Sequence, residues 1–173
     1  MNTRACVDAA LSIARALEKW AQESDLLPQQ HHPPEDRMLL FDAVVEHPDI
    51  RSASRQLYKD GHYSLAVQQA SIALNCQVKA KSGSSKDGAD LMFTVFSETR
   101  PILRFSRCQT ESERNEQGGY AQILAGVMRG VRNPRAHEVP HVDDAGTALR
   151  LLGLIDHLHT KVDAAKRVPP SKP

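Results

Sequence analysis

Residues 120–131 decide the fold class; they read Tyr120-Ala121-Gln122-Ile123-Leu124-Ala125-Gly126-Val127-Met128-Arg129-Gly130-Val131. The apolar side chains in this stretch recur at intervals of three and four residues, which places them on one face of an α-helix. They are Tyr120, Ile123, Leu124, Val127, Met128 and Val131. A helix with such a face packs against other elements, so the stretch predicts one member of a helical bundle.

Two further regions show the same periodicity. Residues 49–82 hold two apolar stripes separated by Gly61, and they predict a helical hairpin with the glycine at its turn. The last predicted helix spans about Asp143 to Lys166. Its apolar face carries Ala148, Leu151, Leu152, Ile155, Leu158 and Val162. Together these stripes predict an all-α helical bundle.

The middle of the chain is less regular. Residues 91–105 contain two short apolar runs on either side of Arg100-Pro101, which predict a short β-hairpin or an irregular segment. Residues 106–118 are polar and predict an exposed loop. A loop of this length is unusual in a compact domain, so we expect it to be a functional excursion.

Composition divides the chain into four parts. Residues 1–24 predict an amphipathic helix, and residues 25–35 contain three prolines and predict a linker. Residues 36–167 predict the helical domain, and residues 168–173 predict a disordered tail. The N-terminal helix is predicted from an apolar stripe formed by Cys6, Ala10, Ile13, Leu17 and Trp20.

Overall charge and cysteine usage limit the class of protein. The 173 residues carry a net charge of +1, so any nucleic-acid contact must be local or built from more than one chain. Cys6, Cys76 and Cys108 are widely spaced, and we expect reduced thiols. The sequence has neither an apolar run of membrane-spanning length nor a signal peptide. We therefore expect a cytoplasmic protein with no membrane partner.

The segment immediately after the first stripe carries the most chemistry: Arg132-Asn133-Pro134-Arg135-Ala136-His137. Arginine stays charged at any working pH, and its planar fork of donors suits a phosphate group. Histidine titrates near neutrality, so it can take or give a proton during a reaction. The segment therefore combines a phosphate-binding cation with a proton shuttle, the minimum needed to cleave RNA.

The charges around this segment favour an anionic partner. Arg129, Arg132 and Arg135 are accompanied by Glu138 as the one acidic residue between positions 117 and 142. Clustered cations of this kind suit phosphate contacts. Asn133 before Pro134 predicts a helix N-cap followed by proline, so we expect a helix junction whose free backbone N–H groups help to bind the anion.

The stretch from Gly126 to Glu138 resembles the signature of the HEPN superfamily. These are small helical proteins with an Arg-x(4–6)-His motif and often a polar residue just after the arginine, here Asn133. More narrowly, the chain resembles the Ymh-like bacterial and phage branch over about residues 48–165. The upstream matches are Gly61-His62-Tyr63, Ala66-Val67, Ala70, Gly88, Leu91-Met92 and Phe96-Ser97.

This resemblance implies a metal-independent endoribonuclease with a toxin or phage-defence (abortive infection) role. It implies that His137 acts as base or acid, that Arg132 stabilises charge on the phosphorus, and that Asn133 orients the phosphate or the imidazole. It further implies that Arg135 and Arg129 contact the substrate backbone. RNA is then the expected substrate, and no cofactor is expected.

The same resemblance bears on partners. One Arg–His pair supplies one proton shuttle, whereas attack by the 2′-hydroxyl benefits from both a base and an acid. Members of the superfamily commonly place two motifs across a twofold interface, and we expect such a homodimer here. An antitoxin or another protein is a further possible partner. In a separate interpretation, based on the stripe Cys6 to Trp20, the chain is itself an antitoxin-like or structural interaction protein whose N-terminal helix and proline linker clasp a partner.

Other interpretations stay open. Arg132 can also be a surface arginine paired with Glu138, and His137 can be a structural histidine. A non-catalytic module that binds nucleotides, RNA or a protein partner would use the same cations without chemistry. Measuring both RNA cleavage and RNA binding discriminates between these interpretations, because binding without cleavage favours the non-catalytic module.

Metal binding is not expected from the spacing of the histidines. Pro140 interrupts the interval between His137 and His141, so a regular helix presenting both rings is not predicted. His157 and His159 point apart on a helix, and the pair His31-His32 lacks further ligands. The sequence thus predicts no converging ligand set.

Overall fold

The computed structural model describes residues 34–137 and 142–169, and the side chains of residues 34, 35 and 137 lie outside that description. The predicted N-terminal helix (1–24), most of the predicted linker (25–33) and the last part of the predicted tail (170–173) lie outside the described residues.

Helices make up most of the described chain, and the predicted all-α class is confirmed. They are α1 (Pro34–Val44), α2 (Pro48–Lys59), α3 (Tyr63–Ser82), α4 (Gly88–Val95), α5 (Glu111–Gly126), a π-helical segment (Val127–Arg132), α6 (Asn133–His137) and α7 (Ala145–Ala164). Two short strands, β1 (Leu103–Arg104) and β2 (Lys166–Arg167), form an antiparallel pair. Among the described helices, none has the length and apolar character needed to cross a bilayer.

Helix α3 lies at the centre of the bundle. It packs against α2 and α7, and it also contacts α4 and the π-helical segment. Gly61 adopts a φ of +82°, a left-handed conformation that suits glycine, and it joins α2 to α3 as the predicted hairpin. The apolar residues that α3 buries are Ala66, Val67, Ala70, Leu74 and Val78. Because α3 carries so much of the core, it sets the positions of the loops at its two ends.

The apolar face predicted for the last helix is buried in α7. Leu151 is the exception, because it is only partly buried at the edge of this face. Its fully buried members are Ala148, Leu152, Ile155, Leu158 and Val162. Each lies three or four residues from the next, so one side of the helix faces the core.

Of the two alternatives predicted for residues 91–105, a short β-hairpin or an irregular segment, the local hairpin does not form. The first apolar run forms α4, and Leu103 pairs with Arg167 near the other end of the described chain. The N–H of Val168 then donates to the carbonyl of Ile102 at 2.9 Å, so the segment predicted as a tail is bonded at its first residue. A distant strand satisfies backbone groups that the local sequence leaves unpaired.

The predicted loop over residues 106–118 is also wrong in its second half, because α5 begins at Glu111. Thr110 and Glu113 form a capping box: the threonine hydroxyl accepts from the N–H of Glu113, and the glutamate carboxylate accepts from the N–H of Thr110. Glu116 pairs with Lys161 of α7. The polar residues that suggested a loop are therefore the cap and the solvent-facing side of a helix.

Gln117 ties α5 to the irregular segment before it. Its side chain is buried, and its Nε2 donates to the carbonyls of Phe96 at 3.2 Å and Leu103 at 3.0 Å. Its Oε1 accepts from the N–H of Phe105 at 3.1 Å. One amide thus satisfies three backbone groups of a segment that lacks regular structure.

Replacing Gln117 with Leu should destabilise the fold. The change leaves backbone groups of Phe105, Phe96 and Leu103 without that partner, and each unsatisfied buried group costs about 1–3 kcal/mol. We expect urea unfolding to report a loss of roughly 3 kcal/mol. Gln122→Leu, an exposed position on the same helix, is the matched control and should stay within about 0.5 kcal/mol of wild type. Equal losses in both variants would contradict this role for Gln117.

Candidate functional site

The helical path runs without a break from α5 through the π-helical segment into α6. Pro134 lies inside it, although proline has no N–H and its ring collides with the carbonyl four residues earlier in an α-helix. The wider π-helical turns over Val127–Arg132 come immediately before this proline. Such π-helical turns occur frequently at functional sites.

Asn133 is not the N-cap that the sequence predicted. Its φ and ψ are −64° and −44°, which are helical, and its N–H donates to the carbonyl of Met128 five residues earlier. A helix junction with unpaired N–H groups therefore does not form at Asn133. The π-helical hydrogen bonding accommodates Pro134 within one helix instead of ending the helix before it.

Arg132 ends the π-helical segment and reaches the loop between α3 and α4. Its side chain is 26% exposed, and its Nη1 donates to Oδ2 of Asp87 at 3.1 Å. Within the described residues this is the hydrogen bond found for its guanidinium. From the sequence, we expected few acidic residues near Arg132. The fold corrects this expectation, because it brings Asp87, 45 positions earlier in the chain, into contact with Arg132.

A network of side chains holds Asp87 beneath Arg132. Nδ2 of Asn75 donates to Oδ1 of Asp87 at 2.7 Å, and Nζ of Lys79 lies 3.6 Å from the same oxygen. Burial alone would raise the pKa of Asp87, but the bond from Asn75 and the nearby Arg132 and Lys79 outweigh it and lower the pKa. Asp87 is therefore ionised at neutral pH and forms a true ion pair with Arg132.

Asn75 also fixes the backbone of this loop. Its Oδ1 accepts from the N–H of Gly88 at 3.0 Å, while its Nδ2 serves Asp87. Gly88 has a φ of +58°, so a side chain at this position would strain the turn. Asn75 is itself buried, which makes the loop under Arg132 a rigid support.

Arg135 is committed to a buried ion pair. Its Nε and Nη2 donate to the two carboxylate oxygens of Asp143 at 2.7 and 2.6 Å, and its Nη1 donates to the carbonyl of Val131 at 2.7 Å. The two side chains of this pair are only 5% and 4% exposed. The amide of Asp143 in turn donates to the hydroxyl of Ser64. This geometry gives Arg135 a structural role, and its contact with a substrate stays a prediction.

The remaining predicted site residues lie along the same helical path. Arg129 is exposed, and its guanidinium lies 5.5 Å from the centroid of the Phe93 ring, a cation–π contact. Asn133 is exposed. His137 ends α6 one helical turn after Asn133, and its side chain lies outside the described part of the chain. Arg132 and Asn133 are thus adjacent on the surface, with Arg129 one turn before Arg132.

Sequence reasoning missed the residues that come from other elements. Asn75, Lys79 and Asp87 surround Arg132, yet no local spacing connects them with it. The turn-forming residues around Gly88 were the one sequence signal for this part of the site. They predict a loop, but they do not indicate which residue the loop contacts. His47 and His159 also meet in the fold although they are far apart in sequence.

Arg135→Ala should act on stability. Removing the partner of a buried carboxylate costs about 3–5 kcal/mol, because the charge stays in a low-dielectric site. We expect thermal or urea unfolding to show a loss in this range, with Arg150→Ala, an exposed arginine of α7, as the matched control. A double-mutant cycle with Asp143→Ala measures the coupling directly. Unchanged stability of Arg135→Ala would overturn the structural role.

Comparisons with known proteins place the chain in a family. Neither the curated proteins nor the solved structures gave a match. A family model described as a protein of unknown function (Hypoth_ymh) matches residues 45–162, which is more than half of the chain. The match spans α2 to the last turns of α7 and includes the whole Arg132 region. The chain therefore belongs to the Hypoth_ymh family.

Proposed function

We propose that this protein is a metal-independent endoribonuclease of the HEPN type, with a role as a toxin or in phage defence in the cytoplasm. The observation that carries the proposal is the placement of Arg132. It is a partly exposed arginine in an ion pair with Asp87, which also accepts from Asn75, and it lies next to Asn133 in sequence and five residues before His137. A positioned cation stabilises the charge that develops on a phosphate.

The reaction that we propose is transfer of the phosphoryl group to the neighbouring hydroxyl. The 2′-oxygen attacks phosphorus, the bond to the 5′-oxygen breaks, and the products are a 2′,3′-cyclic phosphate and a free 5′-hydroxyl. In this scheme His137 moves a proton at one of the two oxygens, and Arg132 stabilises the pentacoordinate phosphorus. Asn133 orients the phosphate or the imidazole.

The arginines on either side of Arg132 take different places in this proposal. Arg129 is exposed and stacked on Phe93, so it can contact the RNA backbone without giving up an ion pair. Arg135 directs three of its five N–H donors to Asp143 and Val131, so we propose it only as a second-rank contact with the RNA backbone.

We further propose that the active species is a homodimer with the motif at its interface. One His137 per chain cannot be both the base at the 2′-oxygen and the acid at the 5′-oxygen in a single step. Exposed Phe93 beside Arg129 gives this face an apolar centre with a charged rim, as protein interfaces often have. The sedimentation mass of the full chain checks the proposal; a monomer that cleaves RNA contradicts it.

The cleavage experiment uses structured RNA in the presence of EDTA. Wild type should release fragments that end in cyclic phosphate, and His137→Ala and Arg132→Ala should each lose cleavage by at least about 100-fold, the usual worth of a general acid–base or an electrostatic group. The matched controls are His62→Ala and Arg150→Ala, which change the same residue types at exposed positions elsewhere. They should keep wild-type rates.

Two outcomes would contradict the nuclease proposal. One is wild-type protein that is folded and cleaves no RNA while its expression leaves cells unharmed. The other is cleavage that persists in His137→Ala, which would trace the activity to a contaminant or to another site. Circular dichroism of each variant shows whether a loss of cleavage reflects unfolding.

Asp87→Asn tests whether Arg132 is the phosphate contact. Asparagine is accepted at a helix N-cap, so the loop should keep its conformation while the charge that competes with phosphate is removed. We expect the affinity for RNA to rise, by an amount equivalent to about 0.5–1 kcal/mol for a partly exposed ion pair. Fluorescence anisotropy with labelled RNA measures it. In the Arg132→Ala background the same change should give a much smaller gain, and an equal gain in both backgrounds would place the phosphate elsewhere.

One observation favours a second candidate, a module that binds nucleotides, RNA or a protein without chemistry. Arg132 already has a carboxylate partner, and an arginine in an ion pair can hold a phosphate by exchange without taking part in catalysis. RNA affinity that depends on Arg132 together with absence of turnover would favour this module over the nuclease.

A further inference from the structure

A second polar cluster lies between the beginning of α2 and the end of α7. His47 is the N-cap of α2 and Asp49 lies in its first turn, whereas His159 and Asp163 come from α7. One potential ligand atom from each of His47, Asp49 and His159 lies within 4.8 Å of the other two. The function proposed above uses none of these residues.

His159 is the unusual member of this cluster. Its side chain is 1% exposed, and neither ring nitrogen has a hydrogen-bond partner among the described residues. A neutral imidazole has one lone pair and one N–H, and leaving such groups buried without a partner costs about 1–3 kcal/mol each. The fold tolerates this cost at a position where a ligand would remove it.

His47 is held in a defined tautomer. Its Nδ1 accepts from the backbone N–H of Asp49 at 3.2 Å, and since a backbone amide only donates, Nδ1 must carry the lone pair. The proton is then on Nε2, which donates to Oδ2 of Asp163 at 2.8 Å. A carboxylate on one imidazole nitrogen, with the other nitrogen as ligand, is the arrangement found behind metal-bound histidines. A metal at Nδ1 of His47 would replace the 3.2 Å hydrogen bond from the N–H of Asp49.

Asp163 has a second donor that supports this arrangement. Its Oδ2 is bonded to His47, and its Oδ1 accepts from the side-chain amide of Gln77. Both carboxylate oxygens are thus held, which fixes the acceptor that orients the ring of His47.

We propose that His47, Asp49 and His159 form a binding site for a divalent transition-metal cation of the zinc class, with Asp163 as the positioning residue for His47. Two imidazole nitrogens and one carboxylate oxygen suit zinc and its neighbours, whereas calcium and magnesium prefer oxygen ligands alone. The site needs no residue from a second chain.

Metal binding requires the three ligand atoms, which lie within 4.8 Å of one another, to move closer together. With bonds of about 2.0–2.2 Å, ligand atoms around a tetrahedral zinc lie roughly 3.3–3.6 Å apart. Nε2 of His159 and Oδ2 of Asp49 are 3.9 Å apart, and the two imidazole rings lie with centroids 4.0 Å apart. Because the Asp49 side chain is 68% exposed, it can rotate to close this gap without disturbing the core.

The cluster is open to solvent on one side. A groove of about 630 Å³ runs beside it, and Asp49, Gln77 and Asp163 are among the residues that line this groove. A cation can enter there, and a water molecule can complete the coordination. Three protein ligands with an open fourth position distinguish such a site from a closed structural zinc site.

Zinc titration of the full chain by calorimetry tests the proposal, with cobalt absorption as a report of tetrahedral geometry. Wild type should bind one equivalent at this site, His159→Gln and His47→Gln should lose that equivalent, and Asp163→Asn should bind roughly 10–100-fold more weakly. His157→Gln is the matched control, because it lies on the same helix and its ring contacts Tyr120 at 3.0 Å instead of the cluster. A His31→Gln/His32→Gln variant removes the other histidine pair and should keep the equivalent.

The proposal is overturned if wild type binds no zinc, or if the bound equivalent survives in His159→Gln and disappears in the His31→Gln/His32→Gln variant. His159→Gln alters a buried residue, so Asp49→Asn provides a second test at an exposed position. Asp49→Asn should weaken binding while leaving the unfolding temperature of the metal-free protein unchanged, and unaltered zinc affinity in this variant would also overturn the site.

Discussion

A proline inside a continuous helix is the constraint on which the rest of this structure depends. Pro134 can neither donate a hydrogen bond nor fit under the carbonyl four residues earlier, and the π-helical turns before it accommodate both defects. At the end of these turns Arg132 pairs with Asp87, while Arg135, three positions later, pairs with Asp143.

The helices were largely predictable from the sequence. The spacing of apolar residues indicates a buried helix face, whichever element of the fold packs against that face. The stripe in residues 148–162 describes a face that the fold buries. In residues 120–131 the fold buries Leu124, Val127 and Met128, whereas Ile123 is 46% exposed. Sequence reasoning was wrong where a local pattern has two physical meanings. Asn133-Pro134 can begin a helix or be accommodated within one, and polar residues before Gln117 can form a loop or the outer side of a capped helix.

The candidate site was only partly predictable for a different reason. Its motif is contiguous, so Arg132 and Asn133 could be named from spacing and resemblance. The residues that determine the electrostatics of Arg132 come from the loop beyond α3, and no periodicity connects positions 75 and 87 with position 132. The same limit applies to His47 and His159, which become neighbours only because α2 and α7 pack together. Pairings of this kind are properties of the packed bundle.

The antiparallel contact between β1 and β2 has a consequence for the order in which the chain folds. Leu103 and Arg104 pair with Arg167 and Lys166, and the carbonyl of Ile102 accepts from the N–H of Val168, so these bonds form only after the chain has been synthesised beyond α7. The contacts between α2 and α3 join neighbouring helices and need no such wait. We therefore expect the pairing of β1 with β2 to form late in folding, because it joins segments far apart in sequence.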